Sequence, residues 1–130
     1  RDMDEAWWAA GAPHGAPGYA SIVEKYGLAA TRDFLKEADP FHDAESDAEY
    51  WARIDSGFAL IARTAEEWGL PDGSPVLQIS HGNPLLSMML RFAPEGYALP
   101  RRPANGSITR FDFDTSKTLD SAISVAGYNE

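Results

Sequence analysis

The pattern of apolar and polar positions predicts a long amphipathic helix near the middle of the chain, over residues 45–68. Its large apolar side chains recur at steps of three and four residues and so share one helix face: Trp51, Ile54, Phe58, Ile61, Ala65 and Trp68. Ser46, followed three residues later by Glu49, is a capping-box pattern at the helix start. Gly69 and Pro71 favour an end to the helix.

After this helix the pattern changes from extended to helical at a histidine. Residues 76–80 form a short apolar run, which predicts a buried strand. His81 follows, and Gly82 permits a sharp turn of the backbone. Asn83 is a favoured N-cap and Pro84 suits a first helical position, so we expect a helix from Pro84 to about residue 92.

The N-terminal part of the chain has no strand pattern. Residues 1–18 are rich in Gly and Pro and predict a loop, and two short helices are expected at 19–27 and 29–38. We therefore expect residues 1–43 to form a helical and loop cap insertion, and residues 44–130 to form the core.

The C-terminal part predicts a β-hairpin. Residues 107–113 alternate as a strand, residues 114–117 suit a turn, and residues 118–128 predict a second strand. The order of helices and strands indicates the α/β class. A parallel sheet needs more strands than this, so we expect the sheet to be incomplete in this chain.

Composition narrows the class of protein. With 130 residues, 44% of them hydrophobic, the chain is long enough for one modest domain and too apolar to be disordered. The net charge of −9 leaves no basic face for nucleic acid, and no apolar run is long enough for a membrane span. The absence of cysteine and of a leader pattern fits a cytoplasmic enzyme.

The placement of His81 predicts an anion site. It lies at the carboxyl end of the expected strand and beside the N-terminus of the expected helix. Open α/β sheets bind ligands at that edge, and helix N-termini favour anions. Phosphate is the commonest biological anion of suitable size.

Three stretches resemble the histidine phosphatase superfamily, which includes the cofactor-dependent phosphoglycerate mutases. Residues 79–83, Ile-Ser-His-Gly-Asn, resemble its second-histidine motif. Residues 44–46, followed by Arg53, resemble its Gly-Glu-Ser helix start with an arginine two turns on. Residues 103–109 resemble the loop and strand that follow the second-histidine helix. The resemblance covers roughly residues 44–113.

The resemblance implies a fold, a reaction and roles for three residues. The fold is a three-layer α/β/α phosphoglycerate mutase-like fold, and the reaction is phosphoryl transfer on small phosphate esters through a phosphohistidine, without metal or other cofactor. His81 matches the histidine that donates a hydrogen bond to the phosphoryl oxygens, and Gly82 and Asn83 would help to hold the same phosphate. Phosphatase and mutase activity stay equally open.

The chain departs from the family in lacking an Arg-His-Gly motif. His14 lies in Pro-His-Gly without the arginine, and His42 matches no motif. Since the chain also begins at Arg1, we expect it to be the C-terminal part of such an enzyme, inactive without the missing N-terminal part of the same protein. Its oligomeric state stays open, a homo-oligomer included.

Two other functions remain as alternatives. The first is a non-catalytic phosphate-binding or interaction domain that has lost its nucleophile. The second is an unrelated α/β-hydrolase-like fragment, which the lack of a nucleophile elbow disfavours.

Four charged side chains have both a functional and a structural interpretation. Glu45 is either a catalytic carboxylate or, as we favour, a residue that stabilises the helix start. We expect Arg53 either to contact a ligand or to pair with an acidic residue on the helix surface. Arg101 and Arg102 clamp a second anionic group of the substrate or, as we favour, lie solvated on a loop.

Overall fold

A computed structural model describes residues 19–95 and 102–130 and, within them, helices and a small sheet. The elements in chain order are α1 (Tyr19–Ala38), α2 (Asp47–Glu67), α3 (Gly82–Phe92), β1 (Arg110–Phe113), α4 (Leu119–Ala122) and β2 (Ile123–Gly127). The described residues divide into two compact units, residues 19–54 and residues 55–95 with 102–130. The fold class is therefore mixed α and β, as predicted at that level. The predicted loop over residues 1–18 lies outside the described residues.

The helix α1 consists of two helical pieces that meet at Gly27. This residue has φ 83° and ψ 169°, a conformation that only glycine adopts readily. The two short helices predicted on either side of Gly27 are confirmed. Thr31, one turn later, donates a hydrogen bond to the Gly27 carbonyl at 2.6 Å and so satisfies an acceptor at the break.

The helix α2 begins with the predicted capping box. The Glu49 backbone N–H donates to Ser46 Oγ at 3.2 Å, and the Ser46 backbone N–H donates to Glu49 Oε2 at 2.8 Å. These two bonds satisfy N–H groups that have no partner inside the helix. The helix ends one residue before Trp68, which is exposed rather than part of the predicted buried face.

The first unit is built around buried residues of α1 and α2. Tyr50 and Ile54 are almost fully buried, together with Ile22 and Leu28. Arg32 is also buried: its Nη1 donates to Asp47 Oδ1 at 2.6 Å, and its guanidinium lies 3.7 Å from the centre of the Tyr50 ring. The ion pair and the ring contact compensate for the loss of water around this charge.

A tight loop joins α1 to α2 around the buried side chain of Asp39. Burial opposes ionisation of this carboxyl, but backbone N–H groups of Phe41, Asp43 and Ala44 donate to its oxygens and hold its pKa below the usual value. Asp39 thus stabilises the loop between α1 and α2 through these backbone hydrogen bonds, with a favourable charge interaction from His42.

The second unit packs a hairpin against two helices. Strands β1 and β2 pair antiparallel, with Phe111 opposite Val125 and a bulge between Arg110 and Phe111. Phe58 makes edge-on contacts with Phe113 at 5.6 Å and with Phe92 at 6.4 Å between ring centres. The predicted hairpin is confirmed, although the first residues of its predicted second strand form the short helix α4 instead.

The strand predicted over residues 76–80 does not form among the described residues, and the segment is not buried. In the structure these residues belong to no strand, and Leu77 and Ile79 are 91% and 88% exposed. No backbone hydrogen bond joins residues 76–79 to any other described residue. A strand exists only where a neighbouring strand accepts its hydrogen bonds, and none of the described residues supplies one. Residues 76–80 have apolar side chains that suit a strand, but no strand among the described residues pairs with them.

Candidate functional site

The helix α3 begins earlier than the sequence predicts. Its first residue is Gly82, and His81 is the N-cap with an extended backbone, φ −121° and ψ 166°. Asn83 and Pro84 lie inside the first turn and are buried, so the prediction of Asn83 as N-cap is wrong. Proline is tolerated anywhere in a first turn because those N–H groups have no helical acceptor, which is why Pro84 alone did not locate the start.

His81 presents an open imidazole at the start of this helix. The residue is exposed, its side chain makes no capping hydrogen bond, and no described group forms a hydrogen bond or ion pair with its ring nitrogens. Its backbone carbonyl accepts the Leu85 N–H at 3.3 Å, which fixes the residue to the helix. The backbone of His81 is therefore fixed to the helix, while its imidazole is open to solvent.

The first turn of α3 offers few backbone donors. Pro84 has no N–H, and the Leu85 N–H already binds the His81 carbonyl. Helix geometry leaves the N–H group of the first helical residue, Gly82, without an acceptor inside the helix. An anion bound at this helix start would be recognised by that amide together with the imidazole of His81.

Packing and one arginine anchor α3 within its unit. Met88 and Met89 are buried, as is Ser87. In the last turn Arg91 donates to Asp55 at 2.7 Å and to Asp120 at 2.8 Å. Burial opposes the charge on Arg91, but these bonds raise its pKa, so the helix end stays tied to two carboxylates. A rigidly held helix can present His81 in one orientation.

Gly82 has a different role from the one predicted. Its φ is not in the left-handed region, so no sharp glycine turn occurs at this residue. A Cβ placed on Gly82 would instead lie 2.5 Å from Nε of Arg102 and 3.0 Å from its Cγ. The missing side chain allows Arg102 to lie directly against the residue that follows His81. The sequence interpretation of Arg102 as an ordinary solvated loop residue missed this contact.

The remaining candidates lie elsewhere or are already paired. Arg53 donates to both Glu45 oxygens, at 2.7 and 2.8 Å, so of its two interpretations the structure shows the pairing with an acidic residue. Glu45 is the carboxylate partner in this ion pair. His42 lies in the first unit, whereas His81 lies in the second. His14 and Arg101 are outside the described residues.

The structure brings together part of what the sequence predicted. His81, Gly82 and Asn83 lie at one helix start, as expected, and Arg102 joins them through its contact with Gly82. An imidazole, helix amides and a guanidinium are all hydrogen-bond donors that suit a phosphate or carboxylate. The arrangement therefore places together donors of the kinds that anion sites use.

Comparisons with protein-family models, with curated proteins and with solved structures find no match. None of the helices in residues 19–95 and 102–130 is long and apolar enough to cross a bilayer. The same residues contain no group of three His, Asp or Glu side chains arranged to hold a metal ion.

Proposed function

We propose that this chain is part of a phosphoryl-transfer enzyme of the histidine phosphatase type, acting on small phosphate esters. His81 donates a hydrogen bond to the phosphoryl oxygens during transfer, and Gly82 and Asn83 hold the same group. The nucleophilic histidine comes from sequence outside these 130 residues, because no Arg-His-Gly motif is present within them.

The open imidazole of His81 is the observation that carries the proposal. A histidine with a merely structural role is usually held by nearby carbonyls or carboxylates. The His81 ring has no such partner among the described residues, although its backbone is fixed as the N-cap of an eleven-residue helix. Donors that are preorganised in this way stabilise the charge that develops on a transferring phosphoryl group.

The exposed 76–80 segment supports a pocket completed by further chain. Leu77 and Ile79 share one face of this segment, Val76 lies on the other with Gln78 and Ser80, and the three apolar side chains are more than half exposed. An apolar face of this kind is typical of a strand that a layer of helices covers. In the proposed three-layer fold the 76–80 segment is such a strand, paired with strands of the segment that carries the nucleophile.

Substitution of His81 by Ala tests the role of the imidazole. In the gene product that contains these residues, we expect H81A to lower kcat for p-nitrophenyl phosphate by about 10²–10³-fold, the cost of losing one preorganised donor. Because the side chain is exposed and makes no contact that stabilises the fold, the thermal midpoint should be almost unchanged.

His42→Asn is the matched control for this experiment. His42 has φ 55°, a left-handed conformation that asparagine tolerates, so the variant removes an imidazole while keeping the backbone. H42N should retain the wild-type rate. Equal rates for wild type and H81A would contradict the proposal, as would equal losses in H81A and H42N.

A non-catalytic phosphate-binding domain is the second candidate. It is favoured by one observation: no second histidine accompanies His81 in the described part of its unit, residues 55–95 and 102–130. The two candidates differ in turnover. A gene product that binds inorganic phosphate through His81 but hydrolyses or transfers no phosphate ester would establish the binding domain and exclude the enzyme.

A further inference from the structure

Arg102 differs from every other arginine that the structure describes. The other five each lie within ion-pairing distance of a carboxylate: Arg32, Arg53, Arg63, Arg91 and Arg110. Arg102 has no ion pair and no hydrogen bond to any described group, although the chain has 20 acidic residues against 11 Lys and Arg. In so acidic a chain, a guanidinium without a carboxylate partner has its donors available for another anion.

The position of Arg102 is fixed by its contact with α3. The three heavy atoms nearest to a Cβ built on Gly82 all belong to Arg102: Nε at 2.5 Å, Cγ at 3.0 Å and Cδ at 3.3 Å. The side chain therefore lies along the Cα of Gly82. This places a cation against the first residue of α3, directly after His81 in the chain, and no described carboxylate pairs with it.

We propose that Arg102 is a further substrate-binding residue, which donates hydrogen bonds to oxygens of the phosphoryl group held by His81 and Gly82. This inference rests on the proposed function, since it needs a phosphoryl group at that position. The sequence analysis considered Arg102 only as part of a clamp for a second anionic group, and the resemblance assigns it no role. Gly82 then has two roles: it helps to hold the phosphoryl group, and its lack of a side chain leaves room for Arg102.

Guanidinium chemistry explains the choice of residue. Arginine stays charged at all working pH values and its N–H groups form a planar fork that matches two phosphate oxygens. Lysine would keep the charge but lose the fork, so R102K should recover only part of the affinity that R102Q loses. A guanidinium that served only general solubility would give equal affinities in the two variants.

The test is a titration of the full chain with inorganic phosphate, followed through the Gly82 amide in two-dimensional NMR spectra. We expect R102Q to raise the apparent Kd about five- to tenfold at low ionic strength, with R102K in between, and the difference to shrink as salt screens the exposed charge. Arg63→Gln is the matched control, since Arg63 is exposed, its ion pair with Glu67 is long at 3.9 Å, and its loss changes the net charge equally.

Gly82→Ala supplies a second measurement that does not depend on charge. Its Cβ would displace Arg102, so G82A should weaken phosphate binding in the wild-type background. In the R102Q background the shorter side chain can move aside, and G82A should have little further effect. Additive losses would mean that Gly82 and Arg102 act separately and would overturn the inference.

The outcomes separate this inference from the proposed function. Saturable binding that R102Q leaves unchanged, or that R63Q weakens as much as R102Q, would overturn the role of Arg102 alone. No saturable shift of the Gly82 amide in the wild-type chain would contradict both this role and the phosphate role of His81.

Discussion

The helix α2 and the 76–80 segment are both rich in apolar side chains, yet only α2 buries them. In α2, Tyr50, Ile54 and Phe58 are at least 95% buried, whereas Leu77 and Ile79 are almost fully exposed. The difference lies in the backbone. A helix makes its hydrogen bonds within itself, so α2 needs only something to cover one face. An extended segment needs neighbouring strands for its hydrogen bonds before its side chains can be buried.

This difference concerns the unpaired backbone of the 76–80 segment. Natural proteins rarely leave a long exposed apolar segment with unpaired backbone groups, because such a segment pairs with other chains. In the proposed fold the segment pairs with further strands, whereas the hydrogen bonds of α2 need no such partner. The two regions should therefore respond differently to the same kind of substitution.

Truncation of one aliphatic side chain in each region should give the largest contrast. Ile54→Ala removes buried methyl groups and should lower the free energy of unfolding by about 2–4 kcal/mol. Leu77→Ala removes a side chain that is 91% exposed and should change it by less than about 0.5 kcal/mol. Urea denaturation of the two variants of the 130-residue chain measures both. A loss in L77A that matches the loss in I54A would show that Leu77 is buried in solution.

A smaller effect on the free energy of unfolding is expected from the charged residues at the start of α2. The side-chain hydrogen bond from Lys36, with bonds from Ser46, lowers the pKa of Glu49 from 4.5 to about 2. Because the folded pKa is below the unfolded one, ionised Glu49 stabilises the fold above about pH 4.5, and this contribution is lost as the pH falls toward 2.

Glu49→Gln isolates that charge, since glutamine still accepts the Ser46 N–H. At neutral pH we expect a loss of about 0.5 kcal/mol, typical of an exposed pair, which disappears as the pH falls from 4.5 toward 2. Thermal denaturation across that range measures it. Residues 76–79 contain no ionisable side chain, so L77A should show no such pH dependence relative to wild type. A loss in E49Q that stays constant with pH would contradict the ion pair.

The sequence predicted local features well where they depend only on neighbouring residues. The Ser46–Glu49 capping box, the break at Gly27 and the hairpin each follow from short-range chemistry, and the structure confirms them. The strand at 76–80 depends on partners distant in sequence, which explains why its pattern is correct for a strand and yet no strand forms among the described residues.

The candidate site was predictable in part for the same reason. The spacing of His81, Gly82 and Asn83 placed them at a helix start, although the exact N-cap depended on how Pro84 was accommodated. The contact between Arg102 and Gly82 joins residues 20 positions apart, through the absence of a side chain. No periodicity or cap signal in the sequence reports such a contact.

The most direct test of the central claim is to find where the covalent phosphate forms. The gene product that contains these residues would be incubated with a phosphate ester, quenched in alkali, in which phosphohistidine survives, and mapped by peptide mass spectrometry. We predict phosphohistidine on a peptide outside these 130 residues, with His81 unmodified, and slower phosphorylation in H81A. Phosphate on His81 itself, or turnover without any phosphohistidine, would contradict the account.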